Sequence, residues 1–306
     1  MASTGLMEKL RWALRRWSAQ TPEIPSDSTL APTPPRIGLA LGGGFARGVA
    51  HVGVLKVLER ENIPIHCIAG VSAGSIVAAA YASGATIDEI AKVACAMRFA
   101  DVARWTICRL GLMGSERMIS FLKRLLKRAR FEDMKIPLGV LATDVATGEP
   151  VLFYENGDVI LPIRASCSYP GLFQPIRHQD RLLVDGAISV EVPAVLARKM
   201  GATHVISVAL PMQGAEIVPN NMLQVVNRCF QILQQRSEDT WRRHSDLIIS
   251  PNVAGVEWDG FKSGTQMIRA GEVAAEAAVA QIKSWLEPAK SPACELKPLP
   301  TEQLAS

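Results

Sequence analysis

No stretch of the 306-residue sequence approaches the ~18 consecutive apolar residues needed to cross a bilayer as a helix. The N-terminus also lacks the continuous apolar core of a secretory signal. A cytoplasmic protein is therefore expected, at most peripheral at the inner face of a membrane. The six cysteines (Cys67, Cys95, Cys108, Cys167, Cys229, Cys294) form no Cys-x-x-Cys pair, and no histidine has zinc-ligand spacing. That excludes a zinc framework and favours reduced thiols in the core. Internal repeats are absent, and no linker interrupts the alternating segments between Arg36 and about Glu287. With 48% hydrophobic residues, the chain has material for one large core.

The net charge of +4 is unevenly spread. Nine basic residues stand against Asp101 and Glu116 between Met97 and Phe131, and four against Glu8 in the first twenty positions. The remainder is therefore acidic, by six charges. Such concentration suits an anionic phospholipid surface, and no nucleic-acid partner is expected. Residues 1–20 read either as a basic amphipathic helix with Leu6, Leu10, Leu14 and Trp17 on one side or as a frayed tail, ahead of a Pro/Ser/Thr-rich linker to Pro35. Ser115 to Ala129 is a basic amphipathic helix. It reads as a packed helix with a solvated face, or more sharply as a lid or membrane-docking surface.

Gly70-Val71-Ser72-Ala73-Gly74 lies between a short apolar strand, Ile65 to Ala69, and a helix of small residues, Ser75 to Tyr81. A serine on such a turn presents its hydroxyl at the positive end of the helix dipole. The same pentapeptide also occurs as a tight turn with a capping serine; the strand before it and the helix after it favour a nucleophile. Upstream, the strand Arg36 to Leu41 runs into Gly42-Gly43-Gly44-Phe45-Ala46-Arg47-Gly48 and a helix. Convergent backbone N–H groups there could cradle a phosphate or hold an oxyanion. No Gly-Lys-Ser/Thr follows the glycines, and no acid closes the next strand, so both nucleotide readings fail. The next strand delivers Ser72 instead, which favours the oxyanion hole.

A serine nucleophile needs a base. The five histidines fit poorly: His51 falls within a helix, His66 and His204 within strands and hence in the core, His178 in a polar turn, and His244 at a helix end. Asp185 closes the strand Arg181 to Val184 and precedes Gly186, the position where sheet enzymes collect catalytic groups. Asp144 is its competitor, with a turn-bracing role as the plainer account. Burial beside the serine would raise the carboxylate's pKa and make it a better-matched base, so a Ser-Asp pair is chemically possible without histidine.

Further along, Thr86-Ile87-Asp88-Glu89 is a capping box. Strands are expected over Pro137–Asp144, Pro150–Tyr154, His204–Ala209 and Leu247–Ser250, and helices over Ile163–Ser168, Val192–Met200, Asn220–Arg243 and Thr265–Glu287. The tail from Pro288 is read as disordered. Alternation of this kind indicates a sheet covered on both faces.

Taken together and in order, these blocks resemble the patatin-like phospholipases, with the closest likeness to bacterial members related to neuropathy target esterase. The carriers are Gly42 to Gly48, Gly70 to Gly74, Ala142 to Gly148, Ala165 to Phe173, and Asp185-Gly186-Ala187. The resemblance covers 36–287 and leaves 1–35 and 288–306 outside. It implies a three-layer α/β/α fold with a central, mostly parallel sheet. It also implies hydrolysis of phospholipid or lysophospholipid acyl esters by a Ser-Asp dyad, without calcium or other cofactor. Carried over, Ser72 is the nucleophile, Asp185 the base, the Gly43 and Gly44 amides the oxyanion hole, and Arg47 an anion-side or loop-bracing residue. Val71 stands where threonine is commoner, and Ala187 where glycine is equally familiar. Two alternatives stay open: a lipid acyltransferase, and a non-catalytic lipid-binding module on the same fold.

Overall fold

The computed structural model describes residues 34–210, 218–256, 260 and 263–287. Residues 1–20, read either as an amphipathic helix or as a frayed tail, most of the 21–35 linker, the 288–306 tail and Cys294 lie outside the described residues. All the elements belong to one unit, Pro35–Ser306.

Five-residue apolar runs make the centre of the sheet. β1 (Ile37–Leu41) and β2 (Cys67–Val71) are buried at every position, as expected of strands covered on both faces. With β5 (Leu138–Asp144), β9 (His204–Val208) and β10 (Leu247–Ile249) they form a parallel array, β10-β9-β1-β2-β5. β6 (Pro150–Phe153), β7 (Ile176–His178) and β8 (Arg181–Asp185) add antiparallel strands at the β5 side.

The helices are α1 (Ala50–Arg60), α2 (Ala73–Ser83), α3 (Ile87–Ala96), α4 (Glu116–Leu125), α5 (Ile160–Ser166), α6 (Ala194–Lys199), α7 (Met222–Arg242), α8 (Gly264–Glu276) and α9 (Val279–Leu286). Alternation along β1 separates two cores. Ile37, Leu39 and Leu41 pack with α1 to α5, α8 and α9. Ala40, with Cys67, Ala69 and Val71 of β2, packs with α6 and Trp241 of α7. The result is a three-layer α/β/α fold with a mostly parallel central sheet. Thr86 caps α3 reciprocally with Glu89, as its sequence foretells. No helix among the described residues is long and apolar enough to cross a membrane.

Several expectations are corrected. The strand expected at Ile65–Ala69 runs from Cys67 to Val71, so Gly70 belongs to it and the turn begins only at Ser72. The single helix expected from Thr265 breaks between Glu276 and Val279. Alanine-rich sequence carries no stop signal there; the break lets Ala275, Ala278 and Ile282 all reach one core. Inside the basic region lies an unanticipated ribbon, β3 (Arg104–Cys108) with β4 (Gly111–Gly114). It is docked through Leu112 N and Met113 N, which donate to Leu172 O.

The helix expected to reach Ala129 stops at Leu125, and its Met118, Phe121, Leu122 and Leu125 are buried. Lys127 pairs with Glu89, and Arg128 donates to Ser83 O, so this is a packed helix with a solvated face. Neither strand histidine is in the core: His66 is exposed and His204 half-buried against Trp285. The described cysteines are free, with Cys67 and Cys167 buried but Cys95, Cys108 and Cys229 exposed, so packing accounts for only two of them.

Candidate active site

The site begins with a strained residue. Ser72 has φ 51° and ψ −129°, a conformation that costs a side-chain-bearing residue on the order of 1–3 kcal/mol. The surroundings enforce it. A Cβ at Gly74 would collide with Leu41 O, and one at Gly70 with the backbone of Ser75. The turn can therefore fold this tightly only with glycine at both places. Ser72 N–H donates to Ser166 Oγ (2.8 Å), which itself donates to Leu141 O (2.6 Å). Ser75 Oγ donates to Ser72 O (2.6 Å). The elbow is thus held from both sides before any substrate arrives.

Strand pairing brings Asp185 to it. β6 occupies one edge of β5 over Val140 to Thr143, so β2 and β8 must share the other. β2 runs parallel along that edge and leaves at Val71, opposite Leu141. β8 runs antiparallel and ends at Asp185, opposite Ala142, the next residue. The two strands therefore meet head-on, and the residues at their ends touch: Ser72 Oγ donates to Asp185 Oδ2 at 2.6 Å. Asp185 closes its strand, and that strand runs antiparallel to β5, against the direction of the parallel array.

Asp185 is 1% exposed. Burial pushes its carboxyl from 3.8 up to about 7, and the bonds from Ser72 and from Ala187 N–H oppose the rise. The Ala187 N–H donates to Oδ1 at 2.9 Å, and Thr143 Oγ1 donates to Asp185 O at 3.0 Å. Each carboxylate oxygen therefore has one donor, and the group is oriented as well as desolvated. Asp144 lies apart. Its Oδ1 accepts from Ala146 N (3.0 Å), and it faces a separate cavity of about 300 Å³ whose lining includes Leu110 and Val145 but not Ser72.

β1 pairs beside β2, with Leu41 opposite Gly70, which sets the glycine loop next to the serine. A methyl placed on Gly43 would stand 3.9 Å from Ser72 Oγ. The two expected amides differ. Gly43 N–H already donates to Glu191 O at 3.3 Å, whereas Gly44 N–H has no partner among the described residues. Arg47 is 7% exposed; its Nε donates to Gly44 O at 3.4 Å, and it shares the pocket wall with Glu191. Burial lowers its pKa, and the Glu191 charge opposes that. His51 Nε2 donates to Gly42 O at 2.9 Å from a fully buried ring held to about 4 by desolvation, so it is a neutral brace.

The sequence alone missed the roof. α7 crosses the site, with Asn227 and Gln234 lining the cavity that contains Ser72 and Asp185. Tyr169 OH donates to Asn227 Oδ1 (3.0 Å), and Gln234 Nε2 donates to Ala187 O (3.4 Å). The enclosed space is only about 40 Å³. Ser166 and Tyr169 lie in a block the resemblance already included, but nothing in the sequence connects Asn227 or Gln234 to position 72. No cluster of three His, Cys, Asp or Glu able to hold a metal ion occurs among the described residues.

The family model described as patatin-like phospholipase matches residues 39–198, just over half of the chain. An NTE family protein of Mycobacterium tuberculosis is 33% identical over 188 residues, covering 60% of this chain and 51% of its own. The protein named lysophospholipase NTE1 of Debaryomyces hansenii is 34% identical over 182 residues, covering 56% of this chain and 12% of its own. The chain thus spans about half the length of the mycobacterial relative and a small part of the yeast one. Among solved structures, VipD from Legionella pneumophila aligns over 82% of this chain and 67% of its own, with 13% identity and a TM-score of 0.48.

Proposed function

Because the chain belongs to the patatin-like phospholipase family, we propose that it is a serine acyl-ester hydrolase. Its substrates are phospholipid or lysophospholipid esters, and it uses a Ser72–Asp185 dyad. The single observation that carries this reading is the 2.6 Å contact from Ser72 Oγ to a buried carboxylate whose pKa lies near 7. A carboxyl tuned to the working pH is a competent general base, whereas one near its ordinary 3.8 is not.

Asp185 Oδ2 takes the Ser72 proton as Oγ attacks the ester carbonyl carbon. The carbonyl oxygen becomes an oxyanion facing the glycine loop, where the open Gly44 amide is the first donor and the Gly43 amide a second once it turns from Glu191 O. One such donor is typically worth ~3 kcal/mol of barrier. As the tetrahedral intermediate collapses, Asp185 returns its proton to the departing alcohol and leaves an acyl-serine. Water entering the same place loses a proton to Asp185 and attacks the acyl carbon. The fatty acid leaves, and Ser72 is reprotonated. Arg47 stabilises the glycine loop through Gly44 O and places a positive charge beside the developing anion.

A fluorophosphonate probe should label the protein once, at Ser72, in competition with lysophospholipid, and the wild-type protein should release free fatty acid. Labelling elsewhere, or no fatty acid from any phospholipid or lysophospholipid, would falsify the proposal. Product analysis with added alcohols separates hydrolysis from acyl transfer. Asp144→Ala should leave kcat unchanged and cost about 1 kcal/mol by thermal unfolding, the worth of its bond to Ala146 N.

A further inference from the structure

Five of the nine large hydrophobic side chains exposed among the described residues fall between Val218 and Leu233. Four of them, Met222, Val225, Ile232 and Leu233, are on α7, together with the exposed Cys229. Spaced by three, four and seven, they share an arc of about 100° on a helix turning 100° per residue. Asn227, Phe230, Gln234 and Trp241 occupy the other side, which faces the Ser72 cavity and the core. α7 is therefore apolar on its outer side while its inner side closes the reaction centre.

The closure is tight in volume. About 40 Å³ remains around Ser72, against roughly 300–1,000 Å³ for a typical small-molecule pocket. No acyl chain fits unless the roof moves. Over the site itself the helix is met by Tyr169 OH at Asn227, by its own Gln234 Nε2 on Ala187 O, and by the Phe230 edge on Tyr169 at 5.2 Å. Its far end is anchored by buried Trp241. Along the stripe, from Val218 to Ser237, the charged residues are Arg228 and Arg236; Glu238 and Asp239 follow beyond it, toward the Trp241 end. An outer side that is apolar and cationic fits an anionic lipid surface better than a neutral one.

We propose that the outer apolar stripe of α7 docks on an anionic lipid surface, and that docking draws this helix off the Ser72 cavity to admit the acyl chain. The proposal rests on the ester-hydrolase reading for its substrate, but the docking itself is measurable without turnover. Met222, Val225 and Leu233 enter the lipid, Arg228 and Arg236 meet its headgroups, and the lost roof contacts are replaced by burial of the stripe.

The experiment uses the full chain with two backgrounds and two substrates. In the Ser72→Ala background, binding to phosphatidylglycerol/phosphatidylcholine vesicles is measured by co-sedimentation, with and without Met222→Ser, Val225→Ser and Leu233→Ser combined. The triple change should weaken binding about tenfold or more, since affinity follows the apolar area buried. Pure phosphatidylcholine should bind less than the anionic mixture. In the Ser72 background, the triple variant should lose vesicle hydrolysis to the same degree yet cleave a monomeric short-chain ester as the wild type does. Arg236→Gln alone, which leaves the stripe intact, should weaken binding to the anionic vesicles and make the remaining binding less sensitive to added salt.

Equal binding and vesicle turnover by wild type and triple variant would overturn the proposal. So would a wild-type dimer that the triple change makes monomeric, because a second copy would then cover the stripe. Wild type that binds vesicles but cleaves neither substrate would sink the hydrolase reading and leave the docking result standing.

Discussion

Asp185→Asn should lose ester hydrolysis by ~10²–10⁴-fold, the range for removing a general base, and become more stable than the wild type at pH 8. The activity loss follows because an amide cannot take the Ser72 proton. The stability gain follows from burial. Asn keeps an acceptor for the Ala187 N–H and offers an NH₂ to Ser72 Oγ, whose own hydrogen gives up its acceptor, a loss of about 1 kcal/mol that is smaller than the cost of the buried charge. The carboxyl it replaces has a folded-state pKa near 7, raised from 3.8. Between those values the folded protein holds a proton that the unfolded chain releases, so wild-type stability falls as pH rises through that window. Above pH 7 the full cost applies, on the order of 3–4 kcal/mol. The Asn variant carries no such cost. Its melting temperature should exceed the wild type's by several degrees at pH 8 and converge with it near pH 4, as scanning calorimetry at the two pH values would read. Wild-type kcat/KM should meanwhile rise through about pH 7 as Asp185 ionises. A variant that is inactive but equally or less stable at pH 8 would mean that Asp185 is not held near 7.

Ser72→Ala should lower kcat/KM by ~10⁴-fold or more, because the nucleophile itself is gone and only binding and the oxyanion donors remain. Its near-ultraviolet circular dichroism should match the wild type, since alanine retains the Cβ and every backbone bond around the elbow. A companion variant makes the strain visible. Ser72→Gly removes the Cβ that makes φ 51° unfavourable, so it should be more stable than Ser72→Ala by about 1 kcal/mol while being equally inactive. Fatty-acid release by Ser72→Ala at the wild-type rate would end the dyad account. Equal stability of the two variants would instead show that the turn is relaxed, leaving the chemistry to be explained by Asp185 alone.

Most local elements were legible in the sequence. The apolar strand Ile37–Leu41, the capping box at Thr86, and the glycines around positions 42 and 72 each carry their signal within a few residues, whereas the second strand lies two residues beyond the apolar run Ile65–Ala69 that announces it. Errors gathered where that signal is ambiguous. Alanines near 277 do not say whether a helix bends. Between Arg104 and Gly114 the basic residues dominate the pattern and obscure the strand-forming Trp105, Ile107 and Met113. His66 and His204 look like core residues from their apolar neighbours, but His66 precedes β2 and His204 opens β9, and burial at a strand end depends on what packs over it.

The sequence by itself determined the strained serine turn and the adjacent loop of amides, because sterics between near neighbours admit few conformations there and glycine marks each of them. It could not determine which carboxyl reaches that serine, 113 residues away. Asp144 and Asp185 both end strands. Only the head-on meeting of β2 and β8 along one edge of β5 brings Asp185 to Ser72 and turns Asp144 toward another cavity. The roof of α7 is likewise a tertiary decision, since the packing of distant faces obeys the whole core and leaves no mark on the residues that end up above the site.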